Sequence, residues 1–177
     1  HHKIIVELFS GKGYLSKEVY SHLNADKLIM VDNDADLQRD AKKLVGLSEK
    51  NIFVLRDAEE AMSHIPAETT LIDIDPYGSC GKILQSLFEK WRPKHPFILM
   101  TTDGSILDMR PYVAHPNMWA EKYLSNRPNV EKDDFPDVLD ELLAKLGNHY
   151  GFKAEKINGV WNSRRSAYYA GYLITPQ

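Results

Sequence analysis

Four acidic residues stand at or just beyond the ends of four short apolar runs. They are Glu7 in KIIVELF, Asp32 after KLIMV, Asp57 after NIFVLR and Asp75 after TTLIDI. If those runs are neighbouring strands, the carboxylates collect along one edge of a sheet. The last of them opens Asp75-Pro76-Tyr77-Gly78. Here the Asp75 carboxylate and the Pro76 carbonyl are two hydrogen-bond acceptors, and the fixed φ of proline stiffens the corner. An amine attached to an aromatic ring is a poor nucleophile because its lone pair is delocalised. Two acceptors aimed at its hydrogens favour a pyramidal nitrogen and stabilise the positive charge that grows as it attacks. The ring of Tyr77 can stack on a flat base. Read more plainly, Pro-Tyr-Gly is a tight turn that closes a strand. Asp73, two residues back on the same strand face and deeper, reads as a supporting group.

The loop ELFSGKGYL supplies the other half of a site. Gly11 and Gly13 allow a sharp turn and close approach of a ligand. Asp32 lies 19 residues after Gly13, where a carboxylate can accept from both ribose hydroxyls. Asp57, after the third run, can accept from an adenine amino group. A dinucleotide fingerprint needs a third glycine where this chain has Ser16, and a pyrophosphate would be repelled by Glu7, four residues before Gly11. A cation would be welcomed there. S-adenosylmethionine fits, because its ammonium and sulfonium are positive, with S-adenosylhomocysteine as product; NAD is the competing cofactor. Methyl transfer in line from sulfur to an amine needs neither a metal nor a covalent intermediate. Cys80 has no evident base to activate it and reads as a packing residue.

These groups must be carried by alternating elements. Residues 3–9, 27–31, 51–55, 69–74 and 96–101 read as buried strands. Between them, Leu15, Val19 and Leu23 mark one helix face. Leu37, Ala41, Leu44 and Val45 mark a second, with Asp34 or Asp36 as cap. A short helical piece covers Glu59 to His64, and Ile83, Leu84, Leu87, Phe88 and Trp91 give a further face. A long helix starts near Asp134, with Phe135, Val138, Leu139, Leu142, Leu143 and Leu146 along it and Gly147 or Gly151 near its end. Two final strands, 152–157 and 167–174, are joined closely enough to be antiparallel. The expectation is an α/β, Rossmann-like, seven-stranded, mostly parallel sheet with helices on both faces and a C-terminal antiparallel hairpin.

One domain over 3–177 is expected, with His1 and His2 set aside as the end of a tag. Residues 105–133 lack periodicity and read as a substrate-side insert. Its His115, Trp119 and Tyr123 either wall a pocket or pin a short helix. Lys153, Lys156, Arg164 and Arg165 near the hairpin suit either phosphate contact or a solvated turn.

Composition narrows the classes further. The chain is 43% hydrophobic and 27% charged, with a net charge of −3 and a single cysteine. There is no membrane-length apolar run and no cysteine-based zinc site. A cytoplasmic setting is expected. The charge argues against a strongly basic, stand-alone nucleic-acid binder.

Phe-x-Gly-x-Gly followed by Asp-Pro resembles the class I amino-methyltransferases, whose usual tetrad is Asp/Asn-Pro-Pro-Tyr/Phe. DIDPYGS is more similar to the corresponding stretch of the tRNA guanine dimethyltransferases, which methylate the exocyclic N2 amine of guanosine. MTTDGSIL resembles that family's T-x-T-D-x-x-x-L segment at Thr102, Asp103 and Leu107. The resemblance implies Asp75 as catalytic carboxylate with Pro76 and Tyr77 beside it. Glu7, Phe9, Gly11, Gly13, Asp32, Asp57 and Asp75 would hold the cofactor, with Ala58 beside adenine. Tyr77, Gly78, Thr102 and Asp103 would face the substrate. The implied activity is methylation of a nucleobase amine, guanine in tRNA or other RNA, with an accessory protein subunit as a further partner. Methylation of an adenine amine in DNA or of a protein amide, and a non-catalytic cofactor-binding subunit, are the alternatives.

Overall fold

The computed structural model describes residues 2–104, 134–164 and 167–177. The expected insert at 105–133, with His115, Trp119 and Tyr123, lies outside the described residues, as does Arg165.

Seven strands form one sheet: β1 (His2–Leu8), β2 (Ala25–Asp32), β3 (Asn51–Leu55), β4 (Thr69–Ile74), β5 (Phe97–Asp103), β6 (Phe152–Trp161) and β7 (Tyr168–Pro176). Their order is β3-β2-β1-β4-β5-β7-β6. The first five are parallel, and β7 runs antiparallel to both β5 and β6. The expected architecture is therefore the observed one. The chain builds outward from β1 to β3, then returns to lay β4 on the other side of β1. Such a reversal marks where ligands bind in open α/β sheets, here at the carboxyl ends of β1 and β4.

The helices divide between the two faces. On one face α1 (Tyr14–Glu18) and α2 (Ala35–Val45) cover a small core of Ile5, Tyr20, Leu28, Met30 and Leu71. On the other, α3 (Ala58–Ala61), α4 (Gly81–Lys90) and α5 (Phe135–Tyr150) bury the larger core, which joins Leu8, Ile72 and Ile74 to Leu84, Phe88, Leu139 and Leu142. Asp34 caps α2 as expected, accepting from the backbone N–H groups of Asp36 and Leu37 at 2.8 and 3.1 Å. Gly151 ends α5 in the left-handed conformation.

One expectation is corrected. The helix expected over 14–23 breaks at Val19 and continues as a 3₁₀ turn at Tyr20–His22. The break turns Tyr20 inward and leaves Val19 exposed, off the core face the periodicity assigned to it. His2, set aside from the domain, is the first residue of β1, opposite Ala25.

Gly13 opens α1 with φ 76°. A Cβ there would sit 3.0 Å from Val45 Cγ2 and 3.2 Å from Ala41 Cβ, because the loop lies against α2. Gly13→Ala should therefore cost more than the ~1 kcal/mol of a strained φ alone. At Gly11, φ 53°, nothing lies within 4 Å of the added methyl, so Gly11→Ala should lose only the conformational part. Denaturant melts of the two variants should separate in that order.

Candidate functional site

The glycine loop follows directly from the end of β1. Phe9 leaves the strand with φ 65°, a conformation uncommon for a bulky residue, and its side chain packs against the larger core. The turn that follows is held from β2: Asp32 accepts from Gly11 N–H through Oδ2 at 2.8 Å and from Asp34 N–H through Oδ1 at 2.9 Å. One carboxylate thus fixes both the loop after β1 and the entry to α2. Asp57 similarly caps α3, accepting from Glu59 N–H at 2.8 Å, and Ala58 beside it is buried.

Glu7 and Asp73 are direct partners across the β1–β4 ladder. Both are buried, at 2% and 3% exposure, under the short α1 segment. Each is met by one hydroxyl: Ser16 donates to Glu7, and Tyr20 donates to Asp73 at 2.5 Å. Burial is the main force on both, lifting the Glu7 carboxyl to about 8 and the Asp73 carboxyl to about 7. The fields of Asp73, Asp75 and Asp32 push Glu7 further in the same direction, while the Ser16 hydrogen bond opposes them. Asp73, Asp75 and Asp32 are thus all close enough to Glu7 to act on it.

Asp75 stands just past β4, tied to β1 by its N–H to the Leu8 carbonyl at 3.5 Å. Burial raises its proton affinity, and a hydrogen bond from the Thr102 side chain opposes that. Pro76 is half-buried, and Tyr77 is 102% exposed, its ring wholly available. Gly78 takes φ 120°, which a side chain rarely adopts. Thr102, expected to face a substrate, is buried against Asp75. Asp103, also expected on the substrate side, is instead fully buried behind the corner, where it accepts from Cys80 N–H at 2.9 Å and Ser79 Oγ at 3.3 Å. Its position in β5, facing the larger core, turns it away from the crevice. Cys80 is fully buried in that core, as its packing role required.

No family model matches the chain, and no curated protein matches it in sequence. Solved structures do share its fold. Trm1 from Pyrococcus horikoshii, solved with S-adenosyl-L-methionine, superposes with a TM-score of 0.76 at 18% identity, over 99% of this chain and 51% of that one. The fold is the Rossmann-like methyltransferase fold. TYW2 from M. jannaschii, in complex with AdoMet, gives 0.62 at 12% identity over 99% and 69%. The N-methyltransferase NodS from Bradyrhizobium japonicum WM9 gives 0.58 at 11% identity over 99% and 87%. The chain spans about half the length of Trm1.

Within this methyltransferase fold, two site features were invisible as single residues. Ser16 reads in sequence as a missing glycine, yet its hydroxyl serves Glu7. Tyr20 lies off the face that Leu15, Val19 and Leu23 mark, and it meets Asp73 through the 3₁₀ turn. A serine at the third fingerprint position, nine residues after an acid, was the available signal for the first; nothing local signals the second.

The buried acids make stability depend on pH in a definite direction. The unfolded Glu7 carboxyl ionises near 4.5, whereas in the fold it holds its proton to about 8. Between those values the folded state binds the extra proton, so its stability is full below the lower value and declines as pH rises towards the upper. Asp73 acts with the same sign between 3.8 and about 7. Glu7→Gln should flatten much of the decline, which thermal melts between about pH 5 and 8 would show.

Proposed function

We propose that this chain is an S-adenosylmethionine-dependent methyltransferase acting on an exocyclic amine of a nucleobase, guanine in RNA. The observation that carries the reading is the convergence of Asp75 with Glu7 and Asp32 at the β1–β4 reversal. The residues present fit the cofactor. Space is open where a Gly11 side chain would point, and the surrounding groups are carboxylates suited to a cation. The neighbours solved with S-adenosyl-L-methionine or AdoMet support the same choice.

Glu7 would receive the ammonium end, Asp32 the ribose hydroxyls, and Asp57 with Ala58 the adenine. Gly11 and Gly13 let the loop backbone approach, and Phe9 holds the turn that presents it. Bound there, the cofactor supplies an electrophilic methyl group. Asp75 and the Pro76 carbonyl accept the two hydrogens of the substrate amine, localise its lone pair and stabilise the cation that forms. The raised proton affinity of Asp75 lets it take the proton the nitrogen sheds. Tyr77 offers its exposed ring to the base. DIDPYGS carries the choice of guanine in RNA, and a protein subunit with a basic surface would offset the chain's net charge of −3.

Isothermal titration against S-adenosylhomocysteine and against NAD tests the cofactor. Micromolar-range binding of the first and none of the second is expected; the reverse rejects the reading. At neutral pH the bound ammonium should draw Glu7 into its ionised form. Titrations in buffers of different ionisation enthalpy should then detect proton release, and Glu7→Gln should remove it.

A further inference from the structure

Asp103 is a fully buried carboxylate beside an apolar core, and such a group needs partners. Two of those partners are in the turn that follows the corner. Its Oδ2 accepts from Cys80 N–H at 2.9 Å and from Ser79 Oγ at 3.3 Å. Ser79 Oγ in turn accepts from Gly81 N–H at 3.3 Å, so the same chain of bonds reaches the first residue of α4. The backbone repeats the link one residue on, where Gly104 N–H donates to the Gly78 carbonyl at 2.8 Å. The neighbour of Asp103 on the opposite strand face, Thr102, bonds the carboxylate of Asp75. Two consecutive residues of β5 therefore grip the two ends of Asp75–Cys80, one from each side of the sheet.

Resting on the proposed function, we propose that Asp103 is a positioning residue: its carboxylate clamps Ser79 and Cys80, and so fixes the direction in which Asp75, the Pro76 carbonyl and Tyr77 face the amine. The middle of the corner needs such a clamp. Tyr77 is fully exposed, Gly78 adds no side-chain contacts, and Cys80 at the N-cap of α4 makes no side-chain cap bond. Without the carboxylate, the Cys80 N–H is left buried and unpaired, and the turn gains alternatives that open it to water. The crevice at Glu7, the glycine loop and Asp32 lies on other strands and is untouched by the change.

Cys80, the chain's single cysteine, provides a readout that needs no substrate. Its thiol is fully buried, and burial pushes it away from the reactive thiolate. Asp103 also disfavours the Cys80 thiolate directly, so opening of the turn is read in Ser79→Ala, which keeps that carboxylate, beside Asp103→Ala, where labelling of the native protein should accelerate by about tenfold or more. S-adenosylhomocysteine affinity should stay within about threefold, and kcat should fall by about thirtyfold or more with a smaller change in the cofactor KM. Asp103→Asn keeps one acceptor for the Cys80 N–H and should restore both protection and most of kcat. Should Asp103→Ala not fold, Ser79→Ala removes one bond of the clamp and should label at an intermediate rate. Labelling at the wild-type rate in these variants overturns the clamp. Faster labelling of Asp103→Ala with wild-type kcat overturns the positioning role. A wild-type protein that methylates no RNA base rejects the proposed function instead, and the labelling rates still decide the clamp.

Discussion

Asp75→Ala should lower turnover by about a thousandfold while leaving S-adenosylhomocysteine affinity within about threefold. The carboxylate sits past β4, half-buried, with Thr102 on it and the Pro76 carbonyl beside it. In the proposed mechanism, removing it deletes one of two acceptors at the nitrogen and the group that receives its proton. Hydrogen-bond acceptors act here on charge that exists mainly in the transition state, so the loss falls on kcat. In the proposed arrangement the cofactor is held mainly by Glu7, the glycine loop, Asp32 and Asp57, on three other strands, and Asp75 adds little to its affinity. Asp75→Asn keeps one acceptor oxygen and cannot take the proton, so its rate should lie between wild type and alanine. Methyl-transfer rates and isothermal titration on the same preparations give both quantities; wild-type turnover in the alanine variant removes Asp75 from the mechanism.

The second large effect belongs to Asp32, and it should appear in binding. Its two oxygens hold the N–H groups of Gly11 and Asp34 before any ligand arrives. Hydrogen bonds to a charged acceptor contribute ~1.5–3 kcal/mol each. Asp32→Ala releases the glycine loop and removes the acceptor for the ribose at once. S-adenosylhomocysteine affinity should fall by about a hundredfold or more, which is about 2.7 kcal/mol. The fold should survive, since β2 keeps its ladder to β1 and β3. Asp32→Asn should lose less, because its carbonyl oxygen still accepts. Titration beside a denaturant melt separates ligand binding from stability. An alanine variant that binds with wild-type affinity would show that neither the loop nor the ribose depends on this residue.

The sheet was legible because its signals are local. Each parallel strand is a short apolar run with a glycine turn or a helix face after it, and Asp34 caps α2 from two and three positions away. The order of Glu7, Asp32, Asp57 and Asp75 on successive strands was legible for the same reason. What the residues do for one another was not. Tyr20 reaches Asp73 across 53 positions only because the helix breaks at Val19, and periodicity alone favours continuing that helix. Asp103 looks like any acid at a strand end. Strand alternation turns it to the side of the larger core, while Thr102 turns to the side of Asp75. A one-residue difference in register would have exchanged their roles, and register is set by pairing with β4 and β7.

The central claim is that the corner at Asp75 directs a methyl group to an exocyclic nitrogen. Its most direct test is to incubate the protein with tRNA and S-adenosylmethionine carrying a deuterated methyl group, digest to nucleosides, and locate the label by mass spectrometry. Label is expected on the exocyclic nitrogen of guanosine and should be lost in Asp75→Ala. Label on a ring carbon or a ribose oxygen, or equal labelling by the Asp75 variant, would contradict it.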